Sequence, residues 1–260
     1  MGNSKAEFSV TAFMCVFNEA DILPYTLRHL IDQGVDVHVI DNWSTDGSDQ
    51  IARQFPLAGF ERFPAEGGTG IYRWRALLHC VESLANASNA TWCVHHDADE
   101  IRRSPRPGES LVDAFARMDA EGYNAADHRV FCFQPTDELY VGDPEHYFRY
   151  YADDGVDNRL PHIKAWKNLG AVLLARSAGH QAEFLGRRIH PEKLILKHYP
   201  IRSSLQGARK VLAERVPRFD PAERAMQWHV QYDSVSRTKQ WLHDPITLKE
   251  WNPVNIEAVR

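Results

Sequence analysis

Four short apolar runs, the first three each leading into a segment of helical spacing, fill the first hundred residues. This alternation restricts the fold more than any other feature of the chain. Residues 8–17 are apolar and partly β-branched, which reads as a buried strand. Ile22, Leu23, Leu27, Leu30 and Ile31 then recur at helical spacing, with Pro24 tolerable in a first turn and Gly34 ending the helix. Residues 35–40 form the second run. Ser44-Thr45-Asp46-Gly47 is turn chemistry leading to a helix through Phe55. Residues 60–63 are a short third strand, Gly67-Gly68-Thr69-Gly70 a loop, and residues 72–84 a third helix. Ala90, Trp92, Cys93 and Val94 mark the fourth strand. Strand and helix in this order predict an α/β fold with a largely parallel central sheet and helices on both faces.

The fourth strand runs into His95-His96-Asp97-Ala98-Asp99-Glu100. In open α/β sheets, ligands bind at the carboxyl ends of the strands. Two hard oxygen ligands one residue apart suit Mg2+ or Mn2+ shared with substrate phosphates. Three acids in four residues repel one another without a cation. His95 and His96 alternate across the strand and cannot share a face. A second motif, Asp41-Asn42-Trp43-Ser44-Thr45-Asp46-Gly47-Ser48, follows the second strand, and Asn18-Glu19 follows the first.

These three motifs, in this order, resemble the family 2 glycosyltransferases, which move a sugar from a nucleotide diphosphate to an acceptor. The resemblance covers roughly the first hundred residues well and the remainder more loosely. It implies a GT-A fold, a nucleotide-diphospho-sugar donor, a glycan or other hydroxyl acceptor, and Mn2+ or Mg2+. It places Asp41 near the nucleobase, though the same residue could cap the next turn. It places Asn18 and Glu19 near the nucleotide, where Glu19 is equally a helix-favouring first-turn acid. Asp99 becomes the metal ligand, and Asp97 reaches the ribose or the metal. Arg73 falls where the family has an arginine near the diphosphate. In Lys197-His198-Tyr199-Pro200-Ile201-Arg202-Ser203, His198 suits a further metal ligand and Arg202 a phosphate clamp. An inverting transferase needs a general base for the acceptor hydroxyl. Glu183 lies where the family keeps that acid, with Asp153 and Asp154 in reserve.

The rest of the chain reads less regularly. Residues 111–118 read as a helix, 125–133 as one strand, 134–168 as loops and short strands, 194–196 as a strand and 206–215 as a helix. Trp228, Trp241 and Trp251 imply a tail packed on the body. At 260 residues one domain is expected. Its nucleotide-sugar half would be about 1–100, its acceptor and catalytic half about 101–220, and its packed tail 221–260.

A net charge of -5 argues against a nucleic-acid partner. Nine basic residues from Arg187 to Arg218, against Glu192 and Glu214, form a local exception. They suit a wall facing phosphates, or peripheral contact with an anionic membrane or acceptor surface. Cys15, Cys80, Cys93 and Cys132 lack zinc-ligand spacing and read as free thiols in a reducing compartment. With no signal pattern and no apolar run of about 18 residues, a soluble cytoplasmic protein is expected. No P-loop or dinucleotide glycine fingerprint is present. Two rival functions fit the same residues: a metal-dependent hydrolase, and a non-catalytic sugar-nucleotide-binding protein of the same fold.

Overall fold

The computed structural model describes residues 8–153, 159–233, 235 and 238–252. The N-terminal part alternates as its sequence predicts: β1 (Val10–Val16), α1 (Leu23–Asp32), β2 (Asp36–Asp41), α2 (Ser48–Ala52), β3 (Gly59–Arg62), α3 (Trp74–Ala87) and β4 (Trp92–Asp97). β1 lies between β2 and β4 and pairs with both in parallel. Cys15 stands opposite Ile40 on one side and Asp97 on the other. That register brings the ends of three strands, and the three motifs that follow them, to one edge of the sheet.

β1 shows why these residues make this sheet. Val10, Ala12, Met14 and Val16 face one core and Phe13 faces the other, the two-residue period of a strand buried on both faces. The first core holds Leu23, Leu27 and Leu30 of α1 with Phe115 and Met118 of the later helix α4 (Leu111–Ala120). Leu77, Leu78 and Val81 of α3 close the second.

The second half departs from its sequence reading. β5 (Glu100–Arg103) starts at the last acid of the carboxylate cluster and leaves for another sheet. The single strand expected over 125–133 is two, β6 (Ala125–Ala126) and β7 (His128–Phe133), in different sheets. The break falls at Asp127, whose Oδ1 accepts from the backbone N–H of His128 and of His162, a side-chain bond in place of a ladder bond. After α5 (Pro144–Tyr147) come β8 (Tyr150–Ala152), β9 (Ala165–Lys167) and β10 (Leu194–His198), with β11 (Lys249–Glu250) near the end.

The first sheet is ordered β3-β2-β1-β4-β9-β6, its last two strands antiparallel to their neighbours. The second is ordered β11-β8-β7-β10-β5, mostly antiparallel. The central sheet is thus parallel over four strands, and a second sheet joins it. The helix expected over 206–215 is α6 (Ser204–Ala208) followed by a π-helix, Arg209–Arg215. A 3-10 turn, Val216–Arg218, and α7 (Pro221–Ala225) follow.

Two tryptophans of the tail, Trp241 and Trp251, touch the body. Trp251 lies edge-on to Phe131, and Trp241 covers Gly207 so closely that a Cβ there would come within 2.8 Å of the indole. No helix among the described residues is long and apolar enough to cross a membrane.

One buried side chain fixes a loop needed below. Glu82 on α3 accepts from the backbone N–H of Leu174 (2.6 Å) and Ala175 (3.0 Å), anchoring the segment that leads to Gly179. Glu82→Ala strands both donors and is expected to cost about 2–3 kcal/mol in urea unfolding. A loss below about 0.5 kcal/mol would show that the loop is anchored elsewhere.

Candidate active site

A cleft of about 460 Å³ opens at the carboxyl edge of β1, β2 and β4. Phe17, Glu19 and Asn42 line it, as do Trp74, His95, Gly179 and His180. Asp97, Asp99, Lys164 and His198 form the floor. The chain from Lys210 to Tyr232 forms a roof.

The two loops after β1 and β2 are locked together. Asn18, held at φ 54, accepts from Thr45 N–H through Oδ1, while its own N–H donates to Ser44 Oγ. The N–H groups of Glu19 and Ala20 donate to Ser48 Oγ and Asp46. Asp41 takes the turn-capping alternative. It is fully buried, accepts from Ser44 N–H, and stands 3.2 Å from Arg62 Nε. Burial raises its carboxyl above the usual value. The neighbouring Asn42, which sequence reasoning passed over, faces the cleft in its place.

Of the remaining expected site residues, Glu19, Asp97, Asp99 and His198 converge on the cleft. Asn18 stands behind it, bonded to Glu214. Arg73 pairs with Asp220 outside the lining. Arg202 is fully buried and engaged by Glu19 (2.5 Å) and Asp21 (2.7 Å), so it holds a loop rather than facing a phosphate. Glu183 is half-exposed beside Arg176 and bridges Leu173 through its backbone, off the cleft. Asp153 pairs with Lys249 at the surface. Asp154 lies outside the described residues.

The acids of the floor are met by protein cations, above all Lys164, which the sequence did not single out, and Lys210 of the basic run. Lys164 Nζ lies 2.5 Å from Asp97 and 2.7 Å from Glu100, and Arg102 reaches Glu100 at 2.6 Å. Lys210 Nζ lies 2.7 Å from Asp99 and 2.6 Å from Glu19. Burial alone would raise the carboxyls of Asp97 and Asp99, but Lys164 and Lys210 hold both well below the usual carboxylate range. His198 Nε2 is 3.6 Å from Asp99 Oδ1. Burial opposes charge on that imidazole, and Asp99 overcomes it and raises the pKa well above its ordinary value.

His95 is the counter-case. Burial pushes it down to about 4, so its ring is neutral. Nδ1 faces the Gly179 carbonyl at 3.0 Å and must carry the proton. Nε2 therefore presents a lone pair, and it has no hydrogen-bond partner among the described residues.

No group of three or more His, Cys, Asp and Glu among the described residues is arranged to hold a metal ion. Asp99 Oδ1 and His198 Nε2 stand 3.6 Å apart on the cleft, with Asp97 two residues from Asp99, and carboxylate oxygens with an imidazole nitrogen are the donor types that Mn2+ accepts.

The roof is tied to the N-terminal part by backbone. Tyr72 N–H donates to the Arg218 carbonyl, and Asp220 N–H to that of Tyr72. Phe219 stacks on His229 with ring centroids 4.3 Å apart, and Tyr72 leans on both. Gln227 and His229 both sit at positive φ, a sparsely populated region for such residues. Much of the basic run from Arg187 to Arg218 is already paired, Lys193 with Asp127 and Lys197 with Glu145 among others.

A family model described as glycosyl transferase family 2 matches residues 11–165. Among solved structures, glucosyl-3-phosphoglycerate synthase from Mycobacterium tuberculosis, in complex with phosphoglyceric acid, is 19% identical with a TM-score of 0.35. The match covers 48% of this chain and 45% of that one, so this chain spans under half of its length. A complex of the same enzyme with Mn2+ and uridine-diphosphate-glucose gives a TM-score of 0.34 at 19% identity, with the same coverage. A 4-diphosphocytidyl-2C-methyl-D-erythritol synthase is 14% identical with a TM-score of 0.38, over 79% of this chain and 97% of that one. Likenesses this loose transfer no site. No curated protein matches the sequence.

The buried histidines set an acid limit. His95 and His128 have folded pKa values below their unfolded value of 6.5, so the unfolded chain binds more protons as pH falls below it. Their contribution is complete above pH 6.5 and is lost at about 1.4 kcal/mol per group per pH unit toward pH 4. His198 has the opposite sign: its contribution is complete below 6.5 and is lost as pH rises through its raised value. Urea midpoints measured from neutral pH down to about pH 4 are expected to fall, and His128→Asn to flatten the slope. Buried Glu100, raised to about 7, works against this slope, so the comparison with the variant decides: a slope in His128→Asn equal to that of the wild type would contradict neutral burial of that ring.

Proposed function

The chain belongs to glycosyl transferase family 2, and from that premise we propose that it transfers a sugar from a nucleotide-diphosphate sugar to a hydroxyl of a glycan or similar acceptor, with inversion. The observation that carries the reading is the convergence of Asp97, Asp99 and His198, from the ends of β4 and β10, in one cleft at the carboxyl edge of the parallel strands. Mn2+ or Mg2+ would be held by Asp97, Asp99 and His198 and would neutralise charge on the departing diphosphate.

In the transfer, the acceptor oxygen attacks the anomeric carbon and the bond from that carbon to the diphosphate breaks. The electron pair leaves with the diphosphate, and the hydroxyl proton passes to a base. This chain's own contribution is to orient the two substrates and to meet the leaving charge with Lys210 and the arginines of the roof. The base must line the cleft, which Glu183 and Asp153 do not. The proposed setting is the cytoplasm, supported by four free cysteines. No nucleic acid is proposed as a partner.

Two variants test this. Asp99→Asn is expected to keep its fold by circular dichroism, to weaken Mn2+-dependent donor binding at least about tenfold, and to lower turnover by about 10²-fold or more. Near-normal transfer by the folded variant would remove Asp99 from the chemistry. Glu183→Gln is expected to hold turnover within about threefold of wild type, as for a residue off the reaction path. A collapse of turnover at unchanged donor affinity would make Glu183 the base and require its loop to move.

A further inference from the structure

Every carboxylate lining the cleft has a cation among the described residues. Asp97 has Lys164, Asp99 and Glu19 share Lys210, and Glu214 has Arg209 at 3.3 Å. Two arginines of the lining have no carboxylate partner among those residues. Arg215 donates to the hydroxyl of Tyr232 at 2.6 Å. Arg218 lies 3.7 Å over the Phe17 ring and donates to Asn42 Oδ1 (3.0 Å) and the Gly70 carbonyl (3.3 Å). All of these partners are neutral. Arg215 and Arg218 are thus half-buried cations of the lining whose hydrogen-bond partners among the described residues are neutral, and an anion entering the cleft would meet guanidinium donors not taken by a carboxylate.

The backbone makes the placement of Arg215 specific. Lys210, Glu214 and Arg215 all line the cleft, although they are four and five residues apart. In an α-helix a residue five further on lies about 140° around the axis. The π-helix Arg209–Arg215 bonds i to i+5, which brings that residue back over the first. The wider turn puts Arg215 beside Lys210 on the cleft side, where Tyr232 orients its planar fork.

We propose that Arg215, aimed by Tyr232 and assisted by Arg218, is the binding site for a phosphate group in the cleft that Asp97 and Asp99 also line. The site rests on the donor reading above only for the source of the phosphate, which is either the diphosphate of a nucleotide sugar or a phosphorylated acceptor. The fork recognises either, bidentately. Tyr232 is a positioning residue: it touches the guanidinium and sets its direction.

The test is calorimetry of inorganic pyrophosphate, with uridine and guanosine diphosphates as competitors, on the full chain. Arg215→Met keeps the aliphatic bulk and removes the charge. It is expected to weaken pyrophosphate binding by about tenfold or more, the loss of a charge-assisted contact. Arg215→Lys and Tyr232→Phe are expected to weaken it about three- to tenfold, since the charge survives and its direction does not. Arg176→Ala, exposed and off the cleft, is expected to bind as wild type does.

Unchanged pyrophosphate affinity in folded Arg215→Met overturns the site, as does a wild type that does not bind pyrophosphate at all. Nucleoside diphosphates that bind wild type and Arg215→Met equally leave the donor reading standing and remove the anion site. Pyrophosphate held through Arg215 but not displaced by either nucleotide does the reverse: the site stands and takes a phosphorylated acceptor.

Discussion

Asp97 and Asp99 would repel each other across the edge of the sheet if Lys164 and Lys210 were not between them and the other acids. Each ammonium bridges two carboxylates, and each arrives from a distant part of the chain: Lys164 just before β9, Lys210 in the π-helix. The pairs are therefore also struts. The first helps dock β9 against β4, and the second fixes the π-helix over the loop that follows β1. Removing one partner from such a pair characteristically costs about 3–5 kcal/mol, because the other charge stays buried alone. The same contacts that let a carboxylate-rich edge exist hold the cleft in shape.

What the sequence disclosed follows from how local each cause is. β1 to β4 and their helices were legible because burial on both faces leaves an apolar run, and packing on one side leaves a helical stripe. The convergence of Asn18, Glu19, Asp97 and Asp99 near one edge was legible once the strands were taken as parallel. Asp41 was not, because its fate depends on Arg62 from the next strand and on Ser44 folding back. Nor was the break at Asp127, which is made by a bond to the distant backbone of His162. Lys164 stands in no motif, and only the pairing of β9 with β4 reveals that it matters. Arg202 misled for a related reason: a basic residue near a loop looks like a phosphate ligand until its two acids, Glu19 and Asp21, are seen to enclose it.

The family model ends at residue 165, at the first residue of β9. It takes in the parallel strands and the acidic edge, the part of the cleft where sequence and structure agree best. The roof, with its π-helix, its arginines and its aromatic stack of Phe219 on His229, lies beyond that span. A shared floor beneath a separately built cover allows the cover to change with little disturbance to the sheet. Features that distinguish this chain's substrates should therefore be sought above the carboxylates rather than among them.

The tie between Tyr72 and Arg218 also has a kinetic consequence. During synthesis the parallel strands emerge and can pair well before residue 218 exists, so the sheet forms first over short separations. Until the π-helix arrives, Asp99 and Glu19 lack their ammonium and face one another across an open edge. The cost of closing so long a loop grows only with the logarithm of its length, so the late arrival is affordable, and charge attraction favours it. The nascent chain thus passes through a stage with a finished core and an electrostatically unfinished mouth, and added salt should ease that stage by screening the acids.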